Sequence, residues 1–264
     1  MGVPNFLAST FRYKILSPCT NVSQIIAALN DELVVNGNWT DEGGLGTGPF
    51  KSPVNALDLS YMTITLTVVS ATRLRWVCND SGLYLINNQT STCQDIDATG
   101  TVVHIVASDD LVVVDSNRAT PECFWICRLK VWPDVSGRVP SLFACSQGPR
   151  NNAGTFGNNY VTSKFIRDET GTSYSPSAYM LLARPYGDYA KGFSVSGGIM
   201  CWPVEFCNHN TGVLLGRIPL VVMTDDSFLA GAVINVPIGD GTVKPFRVIG
   251  LAGNSSRKLA VRTG

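Results

Sequence analysis

The sequence predicts a mainly β fold: an antiparallel β-sandwich or barrel-like sheets, entered through one N-terminal amphipathic α-helix. Three observations predict it. Met62, Ile64, Leu66 and Val68 alternate with Tyr61, Thr63, Thr65 and Thr67, the period-two pattern of a strand with one buried face. Short β-branched and aromatic runs recur along the chain, punctuated by tight-turn residues such as Ser108-Asp109-Asp110 and Gly239-Asp240-Gly241. Only one segment, residues 21–36, carries apolar residues at clear helical spacing. The chain has 264 residues, enough to bury a full core as one β domain spanning 1–264, with a sub-boundary near 146 as the alternative division.

Taken in order, Phe11 to Leu16 reads as a short strand, and Pro18 separates it from the helix. Val22, Ile25, Ile26, Leu29 and Leu33 form a single apolar stripe. Asn21 is placed to cap the helix, with Gln24 positioned for the return bond of a capping box. Gly37 stands where a C′ glycine would end the helix, and Trp39 follows. A Gly-rich loop over residues 41–53 comes next, read as flexible. Strands are then expected at Arg73–Cys78 and Leu83–Asn87 about Asp80-Ser81-Gly82, at Thr101–Ala107 and Leu111–Asp115, and at Cys123–Trp132. Residues 146–180 are rich in Ser, Thr, Asn, Gly and Tyr and read as a long irregular segment, of the kind that serves function or is covered by a partner. Periodicity returns at Ala178–Arg184, Gly198–Phe206 and Val213–Met223. A last hairpin, Phe228–Val236 with Thr242–Leu251, and a terminal strand, Lys258–Thr263, complete the expected set.

Charge narrows the function classes. Lys and Arg balance Asp and Glu at 20 each, so no global field attracts nucleic acid or an anionic membrane. Charged residues are 15% of the chain, against roughly 25% in ordinary soluble domains, which fits a neutral polar surface partly covered by neighbours. The longest charge-free run, Ile15 to Asn30, contains a proline and many polar residues and is too short to span a bilayer. Met1 to Thr10 lacks the basic start and apolar run of a secretory signal, so cytosolic synthesis is expected.

Eight cysteines, at 19, 78, 93, 123, 127, 145, 201 and 207, are many for a cytosolic product. No CxxC pair occurs and the only histidines are His104 and His209, so the spacing suits zinc poorly and no metal is expected. The cysteines are either buried apolar thiols or disulfides formed when a particle leaves the reducing cytosol. On the second reading the candidates are Cys78, Cys93, Cys123, Cys127, Cys201 and Cys207. Cys78 and Cys93 flank an apparent hairpin, and Cys201 and Cys207 flank a Trp202-Pro203 turn.

Enzymatic readings weaken once their residues are placed. Gly192-Phe193-Ser194-Val195-Ser196 has the outline of a nucleophile elbow, but the helix that should follow is missing from the pattern. His104 lies inside a Val/Ile strand and reads as a core histidine, and His209 sits in an Asn-flanked turn. The carboxylate pairs Asp31/Glu32, Asp41/Glu42, Asp109/Asp110 and Asp225/Asp226 are adjacent residues, which point apart in strands and helices or solvate turns. Gly43-Gly44-Leu45-Gly46-Thr47-Gly48 follows a helix and lacks the P-loop lysine. No catalytic residue, cofactor or small-molecule substrate is expected.

Two features point instead to contact surfaces. After Asp240 the chain carries Lys244, Arg247, Arg257, Lys258 and Arg262 and no acid, a basic tract suited to an acidic neighbour such as the Asp31/Glu32 or Asp109/Asp110 region of another copy. Trp39, Trp132 and Trp202 sit at expected element ends, where aromatic residues frequently anchor interfaces.

Several stretches resemble virion structural proteins of tailed bacteriophages. They are Phe11-Arg12-Tyr13-Lys14-Ile15 leading into Ile25–Leu33, the Gly37-Asn38-Trp39 stop, Gly216-Arg217-Ile218-Pro219, and the closing Lys258–Gly264. The resemblance covers the chain's ends better than its middle. It implies a tail, neck or baseplate protein, or a capsid-associated one, located in the virion and joined to copies of itself and to other virion proteins. Assembly would then use sheet edges, terminal arms and the 146–180 segment. A receptor- or carbohydrate-binding β module, with Trp39 and Trp202 as sugar platforms, is the alternative from a different class, and a wall hydrolase is the third.

Overall fold

A computed structural model describes residues 9–44, 46–54, 61–80, 91–97, 101–117, 122–128, 142–147, 166–167, 173–174, 179–181, 201–208, 214–225, 228–229, 231–249 and 257–264. The architecture is mainly β, as the alternation predicts, with one helix near the N-terminus. None of the described helices is long and apolar enough to cross a membrane.

The elements, in chain order, are β1 (Arg12–Cys19), α1 (Val22–Asn30) with a π-helical turn at Asp31–Val35, β2 (Thr40–Asp41), β3 (Phe50–Lys51), β4 (Met62–Ser70), β5 (Arg73–Asp80) and β6 (Ser91–Asp97). They continue as β7 (Thr101–Ala107), β8 (Leu111–Asn117), β9 (Glu122–Arg128), β10 (Leu142–Gln147), β11 (Ile166–Arg167), β12 (Ser173–Tyr174) and β13 (Tyr179–Leu181). Last come β14 (Trp202–Asn208), β15 (Leu214–Asp225), β16 (Val233–Pro237), β17 (Val243–Ile249) and β18 (Arg257–Arg262).

These strands form a first sheet ordered β1-β7-β8-β9-β10, a second ordered β2-β3-β4-β5-β6, and a third ordered β13-β14-β15-β18-β17-β16, with β11-β12 a separate ribbon. Every pairing is antiparallel. The first and second sheets make a sandwich. Val103, Ile105, Ala107, Val112, Val114 and Ile126 from one meet Phe50, Met62, Ile64, Leu66, Leu74 and Trp76 from the other, and Ile25, Leu29 and Leu33 of the helical segment join the same core. Because side chains alternate, residues of opposite parity on the first sheet face away from this core. There Val106, Val113 and Trp125 are also buried, and β15 of the third sheet packs against β8 and β9. The first sheet is therefore the middle layer of three.

The N-terminal entry follows its local rules. Asn21 Oδ1 accepts from the Gln24 amide at 3.2 Å, and Gln24 Oε1 accepts from the Asn21 amide at 3.2 Å, completing the capping box. The turn Ser108-Asp109-Asp110 closes the β7–β8 hairpin, with the Ser108 amide donating to Leu111 O at 2.8 Å. The Gly239-Asp240-Gly241 turn joins β16 to β17, and Asp240 Oδ1 accepts from both the amide and the hydroxyl of Thr242.

Other expectations are corrected. Strand β1 does not stop before Pro18 but runs through it to Cys19 with a register shift, tolerated because β1 is an edge strand and proline withholds only one ladder donor. The helix does not end on a left-handed glycine. The Asn36 amide reaches back to Asp31 O in the wider π turn, and Gly37 is present for space: a Cβ there would lie 2.2 Å from Leu33 O. The Gly-rich loop is organised, its flanks pairing as β2 and β3, while Asp41 accepts from the Gly43 and Gly46 amides at 3.2 and 2.6 Å. Gly44, Gly46 and Gly48 supply the left-handed backbone that this tight hairpin tip needs. Val68, expected on the buried face with Met62, Ile64 and Leu66, is exposed where the β4–β5 hairpin projects past the core. Phe228 precedes rather than starts the strand that opens at Val233. The predicted strand at Leu83–Asn87 and its Ser81-Gly82 turn fall outside the described residues, as does most of 146–180. The described parts of the latter are β11, β12 and the ends of β10 and β13.

Candidate functional site

Four polar side chains meet on the buried outer face of the first sheet. Strand β7 passes between β1 and β8, which sets His104 opposite Ile15 on one side and Asp115 on the other. Tyr13 lies two residues before Ile15 and so shares its face. Arg247 arrives from β17 of the third sheet. His104, Asp115 and Arg247 are 9%, 2% and 6% exposed.

Two hydrogen-bonded pairs stand side by side across the β7–β8 ladder. The Tyr13 hydroxyl lies 2.7 Å from His104 Nδ1, with the two rings nearly parallel at 12°. Arg247 Nε donates to Asp115 Oδ2 at 3.0 Å, and Arg247 Nη1 donates to Gly231 O at 2.9 Å. The pairing uses half of the two-bond fork that arginine and a carboxylate can form: Arg247 Nη2 and Asp115 Oδ1 are buried without a hydrogen-bond partner among the described residues.

Burial sets the protonation states. Burial first, and then the Arg247 charge, lower His104 from its ordinary 6.5 to about 4, so the imidazole is neutral at pH 7. Burial also pushes the Tyr13 hydroxyl up, with the Arg247 charge opposing and Asp115 adding to the rise. Tyr13 therefore keeps its proton, and one hydrogen bond joins its hydroxyl to Nδ1 of the neutral imidazole. Burial raises Asp115 too, against the lowering influence of Arg247. The arrangement is an ionisable pin that ties the third sheet to the middle layer.

A second polar anchor joins the first two sheets. Arg128 Nε donates to Asp110 Oδ1 at 2.7 Å, and its Nη2 reaches Pro53 O at 3.2 Å and Asp109 O at 3.4 Å. Asp109 also accepts from Asn38 Nδ2 at 3.0 Å.

These contacts relocate several sequence-predicted site residues. Arg247 does not present a basic surface to a neighbouring copy; β17 turns it inward onto Asp115. Asp109 and Asp110, expected to receive such a neighbour, are engaged within the chain. Glu32 is buried as well. Trp39 is not an interface anchor or a sugar platform but a core residue, its Nε1 donating to Ser108 O at 3.0 Å. Trp202 and Pro203 open β14, paired with Met223 and Val222 of β15, where a turn was expected, and among the described residues β13 pairs with Phe206–Asn208 further along. Trp132 lies outside the described residues, as does His209. Lys244 is half-buried on β17, and Arg257 and Lys258 take register positions opposite Asp225 and Thr224. Arg262 caps the chain end, with Nε donating to Gly264 O at 2.8 Å and the guanidinium 5.1 Å from the Phe11 ring centre. His104 is the core histidine that its strand context predicts.

The cysteine pairs are likewise separated by register. Cys123 and Cys127 lie four residues apart on one strand, and Cys201 immediately precedes β14, six residues before Cys207. At about 3.3 Å per residue both spans exceed the reach of a disulfide, roughly 4.4–6.8 Å between Cα atoms. Cys93 sits opposite Trp76, and Cys78 opposite Ser91. That diagonal offset places Cα atoms about 7–8 Å apart in regular geometry, beyond the same limit. Cys19, Cys127 and Cys201 are present as thiols.

Tyr13 and Asp115 were missed as site residues. A signal for Asp115 exists in the sequence: it has the parity of Leu111 and Val113 within an apolar strand, which puts a carboxylate on a buried face and demands a partner. No family model matches the chain, and no curated protein matches it in sequence.

Proposed function

We propose that the chain is a structural subunit of a bacteriophage virion, in its tail, neck or baseplate, acting through contacts between subunits of a symmetric assembly. The observation that carries this reading is the outer hairpin of the third sheet. Strand β16 is the last in the sheet order, so one backbone edge is open among the described residues. On the same hairpin Val233 and Val243 are 62% and 59% exposed, and Leu229, just before it, is 78% exposed. Proteins that work alone usually blunt such an edge with charge or cover it, whereas an open edge beside apolar side chains suits pairing with another chain. The neutral, charge-poor composition supports the same reading. The partners are further copies of the chain and other virion proteins.

Mass spectrometry of density-purified particles tests the proposal. Peptides of this chain should appear at a fixed multiple of copies per particle and resist high-salt washing. Particles that lack the chain, or release it on washing, would overturn it.

A further inference from the structure

We propose that Tyr13, His104, Asp115 and Arg247 form an acid-sensitive latch, in which a proton on His104 draws Asp115 away from Arg247 and frees the third sheet from the middle layer. The geometry supplies each part. The groups around His104 are Tyr13 of β1, which hydrogen-bonds it, Asp115 of β8, its cross-strand partner, and Arg247 of β17, whose charge reaches it. Asp115 stands directly across the β7–β8 ladder from His104, and among the described residues its Oδ1 has no donor while Oδ2 holds Arg247. The Arg247 side is loose in the same sense, since Nη2 has no partner among the described residues. An imidazolium has no acceptor nitrogen and is a donor at both Nδ1 and Nε2. It would then compete with Arg247 for the one carboxylate available, and two cations cannot share that buried carboxylate cheaply.

The direction in pH follows from linkage. In the closed arrangement His104 takes up its proton near pH 4, and a solvated histidine near 6.5. The open form therefore binds the proton better throughout that window, and closure weakens as pH falls from about 6.5 towards 4. Asp115 acts in the opposite sense, because its raised value means the closed form binds that proton better.

Hydrogen exchange followed from pH 7 to 4 on the full chain tests the latch. Protection in β15–β18 should fall by up to about tenfold per pH unit, the slope of a one-proton step, while β4 and β5 stay protected. The substitution His104→Gln, which cannot take up a proton, should abolish that fall. Loss of protection in β4 and β5 at the same pH as in β15–β18, or an unchanged pH dependence in His104→Gln, would overturn the proposal. Should the variant not fold, NMR titration of the two histidines in the unaltered chain decides: a His104 midpoint near 4 supports the latch, and one near 6.5 overturns it.

Discussion

Arg247 and Asp115 are the residues on which the third sheet's attachment rests most sharply, because a buried charge stripped of its partner has nowhere to find water. Arg247→Met leaves the Asp115 carboxylate buried and unpaired, and should destabilise the chain by about 3–5 kcal/mol. Adding Asp115→Leu to Arg247→Met removes both charges and should recover most of that loss, since a well-packed apolar pair is often as stable as the ion pair it replaces. Urea denaturation of the two variants and the double variant measures the difference. Strictly additive losses would show that the two side chains do not act on one another. Gly37 offers a second test at this scale. Its missing Cβ would meet Leu33 O at 2.2 Å, Arg12 Nη2 at 2.6 Å and Glu32 O at 2.8 Å. Arg12 can swing aside, but the two carbonyls belong to the helix end and cannot. Gly37→Ala should therefore cost about 1–3 kcal/mol, the range for forcing extra atoms into a packed site, read as a lowered denaturation midpoint.

At the scale of elements, the capping box gives the most direct prediction. Asn21→Ala removes the acceptor for the Gln24 amide and should cost about 1 kcal/mol, measurable by the same denaturation. This contact was legible in the sequence because it spans three residues, and so were the turns at Ser108 and Asp240, where the side chain that closes the turn sits inside it. What was not legible depends on chain segments far apart. Trp39 is a core residue because Ser108 O, 69 positions away, accepts its indole proton. Arg247 faces inward because Asp115, 132 positions away, stands beneath it. Sheet order is of the same kind: β1 pairs with β7 across an entire intervening sheet, and local alternation carries no record of that choice. Strand β15 shows a further limit. Buried Leu220 takes a left-handed backbone, φ 59°, beside the Gly216-Arg217-Ile218-Pro219 stretch, where the pairing with β14 jumps register. Nothing in a leucine announces such a conformation.

For the whole molecule, the β16–β17 hairpin carries an apolar, half-open flank among the described residues, and the assembly reading stands or falls there. Val233 and Val243 contribute little to the core because both are mostly exposed, so replacing them with lysine should change monomer stability by no more than about 0.5 kcal/mol, as for ordinary surface sites. The same substitutions place two positive charges beside the open edge of β16, a device that blocks edge-to-edge pairing in natural sheets. The double variant Val233→Lys, Val243→Lys should therefore fold with an unchanged thermal midpoint yet fail to enter particles or to form the oligomers of the unaltered chain. Sedimentation velocity and particle incorporation report this directly. A variant that assembles like the unaltered chain would remove the hairpin from the contact surface, and with it the observation on which the virion proposal rests. Loss of assembly together with a lowered midpoint would instead place Val233 and Val243 among the residues that hold the third sheet together.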